Sequence, residues 1–185
     1  MSDAADQLIR QAVQARREKR LDDAERDLIE AVDLCRKAGV SVELAKALTS
    51  LGQLERDRHR LDAARQRYEE ALAIYRAEGD ALRVAHAVRH LADIRQDQGH
   101  AEMAEPCYNE ALAIYRGNER TSALDLANAI RGLAILKDNS GVAEQARLLW
   151  EEARDLYAAV GVEAGVAESS RRLALLGATS TPRAD

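Results

Sequence analysis

Four stretches of this chain, in register at spacings of 40, 40 and 42 residues, set an alanine ladder between the same large apolar positions. The second half of each unit reads Ala24, Leu28, Ala31; Ala64, Tyr68, Ala71; Ala104, Tyr108, Ala111; and Ala146, Trp150, Ala153. The first half repeats as strictly, with an apolar residue before alanine at Ala4-Ala5, Leu44-Ala45, Val84-Ala85, Leu126-Ala127 and Val166-Ala167. Seven positions on comes a small residue, Ala12, Gly52, Ala92, Ala134 or Ala174, preceded by leucine in every copy but the first, where Gln11 stands. One such unit cannot bury its apolar face alone, so neighbouring units must stack. A small side chain at a fixed phase lets two helix backbones approach, and the large residue one turn away fills the space between them.

These residues resemble the tetratricopeptide repeat family, whose unit is a helical hairpin with Leu then Gly or Ala in its first helix and Ala, an aromatic and Ala in its second. The resemblance covers nearly the whole chain as one weak copy, three good copies and a fifth first helix. The period is about six residues longer than the usual 34 or so, which is similar to the extended repeats of kinesin light chains and of bacterial regulators. The proline that commonly closes a unit is missing. The fold this implies is an all-α, right-handed solenoid of four antiparallel helix pairs and a final helix. The function it implies is a scaffold or adaptor that binds a peptide or protein segment in a concave groove.

Composition agrees. A chain of 185 residues, 46% apolar and 32% charged, suits one ordered domain, and two prolines with no Phe favour helices throughout. The net charge of −5 argues against a nucleic-acid or anionic-membrane surface. The acidic start Met1-Ser2-Asp3-Ala4-Ala5-Asp6 has no signal-peptide core, and no apolar run reaches the roughly 20 residues that span a bilayer, so a cytoplasmic location is expected. Cys35 and Cys107 sit at different phases of the repeat without a CxxC companion and read as small hydrophobes.

Stop and start signals predict nine helices, near 3–18, 21–38, 41–58, 61–78, 80–98, 101–116, 122–138, 142–160 and 162–177. Gly39 then Ser41, and Gly79 then Asp80, read as helix-stop and helix-start pairs, Ser122 with Asp125 resembles a capping box, and Gly99 and Gly141 mark turns within hairpins. Pro106 predicts a kink or a late start in the sixth helix. Residues 1–177 form one repeat domain in this reading, and 178–185 a disordered tail.

Function is then sought on the arc of each first helix opposite its apolar side. That arc carries Lys46, Thr49, Gln53 and Arg56; His86, Arg89, His90, Asp93 and Gln96; Asn128, Arg131, Ile135 and Asp138; and Glu168, Arg171 and Arg172. By the resemblance it lines the partner groove. Arg89, Arg131 and Arg171 share one phase, a row that favours an acidic segment or a chain terminus, because guanidinium pairs bidentately with carboxylate. The opposing reading is solvated arginines paired with Asp93, Asp138 or Glu168 in a chain of 23 Arg and 4 Lys. The asparagine that kinesin-light-chain-like grooves repeat one residue further on is replaced by Ser50, His90, Gly132 and Arg172.

His86 and His90 lie one turn apart near Asp93, but the Glu that follows the first His of a metalloprotease helix is absent, so a groove lining or a pH-sensitive contact is expected rather than a metal site. His59 and His100 are placed at exposed turns. No phosphate loop, nucleophile elbow or ligand cluster points to an enzyme or a cofactor. Two alternatives to the adaptor stand beside it. One is a self-associating module, a homodimer formed through Leu8, Ile9, Ala12 and Val13 of the first helix or Leu173, Leu175 and Leu176 of the last. The other is the sensor portion of a bacterial regulator encoded alone.

Overall fold

The structure is a computed structural model and describes residues 2–179. Among them are nine helices and no strand: α1 (Ser2–Arg17), α2 (Leu21–Ala38), α3 (Ser41–Asp57), α4 (Leu61–Ala77), α5 (Ala81–Asp97), α6 (Ala101–Arg116), α7 (Ala123–Asn139), α8 (Ala143–Ala159) and α9 (Glu163–Thr179). Each helix packs on its neighbours in sequence, which makes a helical-repeat solenoid of four hairpins and a last first-type helix. The last helix passes Gly177, and residues 180–185 of the expected tail lie outside the described residues.

The turns are as periodic as the helices. Seven of the eight connections use one device: a residue in the left-handed region whose N–H returns three residues, followed by one whose N–H returns five, as in Gly39 to Arg36 with Val40 to Cys35 and Gly99 to Gln96 with His100 to Arg95. This is the Schellman stop, which closes one helix while the residue after it already accepts the first bond of the next. Glycine fills the left-handed position at 39, 79, 99, 141 and 161, with φ between 66° and 82°, but Lys19 and His59 adopt it at φ 63° and 59°. The exception is the six-residue link 117–122 between α6 and α7, which accounts for the change of period from 40 to 42.

Caps follow the sequence with one correction. Asp80 accepts from the Arg83 N–H, and Ser122 accepts from the Asp125 N–H at 3.0 Å while its hydroxyl donates to the Asp125 carboxylate. Ser41 is the first residue of α3, and Val40 holds the cap position without a side-chain bond.

Pro106 lies inside α6, which begins at Ala101, so the start is not delayed. The proline has no N–H for the Glu102 carbonyl. One residue on, the Met103 carbonyl accepts from Arg95 of α5. The repeat phase survives, with Ala104 and Tyr108 buried.

The core is the ladder. Ala64, Ala104 and Ala146 are fully buried, and Tyr68, Tyr108 and Trp150 fill equivalent inter-helix positions. Gly52 and Gly132 press against the rings of Tyr68 and Tyr108 so closely that a Cβ at either would collide. Trp150 heads a separate apolar cluster with Leu173 and Leu176, so two of the leucines expected to lie open on α9 pack inward and Leu175 alone stays exposed, at 57%. Leu8 and Ile9 of α1 likewise lean on the core.

First and second helices face different environments. α1 packs directly on α3 and α5 on α7, whereas successive second helices are bridged by long side chains: Arg36 to Glu70, Arg76 to Glu110 and Arg116 to Glu152, at 2.7–2.9 Å. With first helices packed directly in two of their pairs and no second-helix pair packed as extensively, we take the first-helix side as the inner one.

Candidate functional site

On that inner side α3, α5 and α7 converge on a cavity of about 320 Å³. Seven of the residues expected from the helical wheel meet there, Arg89, Asp93, Asn128 and Arg131 among them. Arg56, Gln96, Asp97, Tyr108, Gly132 and Ile135 complete the lining.

Asp93 is the hub. One of its oxygens accepts from the Tyr108 hydroxyl at 2.7 Å, and the other accepts from Arg89 at 2.9 Å and Arg56 at 3.1 Å. Arg56 also donates to Asp97 at 3.0 Å. Burial pushes the Tyr108 hydroxyl well above its ordinary pKa, with the adjacent Asp93 carboxylate adding to the rise, so it stays a neutral donor. Arg131 grips Glu168 of α9 through Nε and Nη2 at 2.5 and 2.8 Å, a two-point pair that raises the arginine and lowers the acid.

The arginine row is therefore not a row of free cations. Arg89 is 9% exposed and paired with Asp93, and Arg131 is paired with Glu168. Arg171 is exposed, lies outside the cavity, and makes no hydrogen bond or ion pair among the described residues. The pairing with Asp93 and Glu168 holds for two of the three, while Asp138 takes Arg172 instead, at 3.4 Å.

His90 is buried and His86 half-buried, in a way the wheel did not show. His90 is 4% exposed, stacks on Tyr68 with ring centroids 4.9 Å apart, and meets His86 edge-on at 4.6 Å. Its Nε2 lies 2.6 Å from an Arg89 nitrogen, which makes it the acceptor. Burial, with Arg89 nearby, pushes His86 down to about 4 and His90 well below its usual value. A pH-sensitive contact near neutrality is thereby corrected to a pair of neutral rings, one of which is core. Among the described residues no three His, Cys, Asp or Glu side chains are placed to hold a metal.

Thr49 is turned into the hairpin, donating to the Ala45 carbonyl at 2.8 Å and lying 3.3 Å from the Tyr75 hydroxyl. Lys46 and Gln53 are half-buried on α3, outside the cavity.

A second tyrosine series completes the site. Tyr75, Tyr115 and Tyr157, near the ends of α4, α6 and α8, reach back to the polar arc of the preceding first helix. Tyr75 meets Thr49, Tyr115 is close enough to Arg89 for the guanidinium to oppose the rise to about 12 that burial gives it, and Tyr157 donates to Asn128 Oδ1 at 2.8 Å. The sequence held the signal: these tyrosines recur at the same 40- and 42-residue spacing as the alanines.

Among the described residues no helix is long and apolar enough to cross a membrane. Residues 4–77 match the family model described as tetratricopeptide repeat. Among solved structures, the crystal structure of BtubC (BKLC) from P. vanneervenii is similar over 100% of this chain and 85% of that one, with a TM-score of 0.72 and 22% identity, a likeness of fold. No curated protein matches the sequence.

Proposed function

We propose that this chain of tetratricopeptide repeats is a protein-interaction scaffold that holds an extended segment of its partner along the first-helix side. Proteins with such repeats generally mediate protein–protein contacts. One observation carries the reading to a particular face: polar and charged groups from three successive first helices line one recess on the inner side.

An acidic stretch or a chain terminus is favoured at the α7–α9 end, where Arg171 is exposed and makes no ion pair among the described residues, and one nitrogen of Arg131 remains beyond its grip on Glu168. Arg89 belongs to the scaffold of the groove rather than to its docking surface. Charge-assisted bonds contribute about 1.5–3 kcal/mol each. A pulldown with wild type and the Arg131→Ala/Arg171→Ala double variant, at low and moderate salt, should show at least tenfold weaker retention for the variant, and weaker retention for wild type as salt rises. A partner held equally well by both forms at low salt would place the contact elsewhere.

Self-association is a second reading, favoured by α9. Ala127, Ile130 and Ala134 of α7 are fully buried beneath α8, yet their repeat equivalents Ala167, Ser170 and Ala174 are exposed, as is Leu175. Light scattering after size exclusion separates the readings: a dimer converted to monomer by Leu175→Glu supports it, and a wild-type monomer at tens of micromolar removes it.

A further inference from the structure

We infer that the recess between α3, α5 and α7 is also a binding site for a small zwitterion, the free α-amino acid, distinct from the extended partner segment. Its volume of about 320 Å³ lies at the small end of the range for small-ligand clefts and cavities, about 300–1,000 Å³.

The charge around it is balanced. Arg56, Arg89 and Arg131 are matched by Asp93, Asp97 and Glu168 through direct pairs. A ligand with one net charge would unbalance a partly desolvated site, whereas a ligand carrying one charge of each sign leaves the balance as it is.

The bonds already made leave both kinds of contact available. The Tyr157 hydroxyl holds Asn128 Oδ1, which leaves the Nδ2 donors of that amide. Arg131 spends Nε and Nη2 on Glu168, so Nη1 is left. These donors suit a carboxylate. Asp97, also in the lining, receives Arg56 on one oxygen and has the other for an ammonium group. Gly132 sets the floor, because a Cβ there would run into the Tyr108 ring, and Ile135 gives the ligand side chain an apolar wall.

The ends of a peptide share half of this chemistry, so the test separates them. Titration calorimetry and thermal denaturation of the full chain with the common α-amino acids, their N-acetyl forms and their amides should show at least one free amino acid binding at micromolar to low-millimolar concentration, with the acetylated and amidated forms at least tenfold weaker. Ile135→Trp, which narrows the recess, and Asn128→Asp, which sets a like charge against the carboxylate, should each weaken binding tenfold or more with the helical circular dichroism unchanged. Absence of binding by every free amino acid at ten millimolar overturns the inference, as does equal binding of the blocked forms. Retention of a partner segment on the Arg171 end is read by pulldown and does not depend on this result, so either proposal can fail alone.

Discussion

Lys19 and His59 occupy the left-handed turn position that glycine fills at five equivalent places. A Cβ there costs roughly 1–2 kcal/mol, partly offset by the extra freedom glycine gives the unfolded chain. Lys19→Gly and His59→Gly should therefore each raise stability by about 1 kcal/mol, read as a higher urea midpoint at unchanged slope; a lower midpoint would show that the side chains contribute more than the turn costs. His86 carries the residue-scale pH prediction. Its ordinary pKa of 6.5 falls to about 4 in the fold, so between those values the unfolded chain binds a proton that the folded chain does not. Stability is then full above about pH 6.5 and declines as pH drops towards 4, by at most about 3 kcal/mol from this group, with His90 acting in the same direction. Urea titrations across that window should show the decline, and His86→Gln should reduce it, leaving the part due to His90; an unchanged slope in the variant would assign the whole loss to His90 and the carboxylates. The phase of both histidines was legible in the sequence. Their burial was not, because a wheel places a residue on a face without saying that Tyr68 lies under it.

At the scale of elements, the nine helices stand within about two residues of their expected limits, since Schellman glycines and cap residues are local chemistry. A neighbour changed two local readings, the late start that was one of the two outcomes expected at Pro106 and the open leucines of α9. Pro106 does not delay α6, because the first turns of that helix are held by the packing of Ala104 and Tyr108 that the repeat imposes. Leu173 and Leu176 are not an open apolar edge, because Trp150 of α8 lies beneath them. Replacing Pro106 with Ala restores a donor to the Glu102 carbonyl at an exposed position and should stabilise the protein by about 1–3 kcal/mol, measured by thermal or urea unfolding. No gain would mean that α6 and Arg95 have already accommodated the missing bond.

At the scale of the molecule, the period that fixed the fold also encodes the outer rungs. Arg36, Arg76 and Arg116 recur every 40 residues and each bridges to a glutamate of the next second helix. Exposed pairs of this kind contribute little singly, about 0–1 kcal/mol, so the stacking rests on the buried ladder inside. What spacing alone did not reveal is the inner charge balance. The arginine phase is visible in the sequence, but which carboxylate each guanidinium meets depends on side chains from helices some 37 residues away, as Arg56 with Asp93 and Arg131 with Glu168 show. The row expected to be cationic is for that reason mostly paired, and among the described residues Arg171 at its end makes no direct ion pair.

The inner face as the partner surface is the central claim, and a photo-crosslinking amino acid placed on either side tests it most directly. With the crosslinker at Gln53, on the inner arc of α3, irradiation in cells should give an adduct of one defined mass that disappears in the Arg131→Ala/Arg171→Ala background. With the crosslinker at Asn109, exposed on α6, that adduct should be absent. An adduct formed equally from Asn109, or one from Gln53 that survives the double variant, would contradict the account.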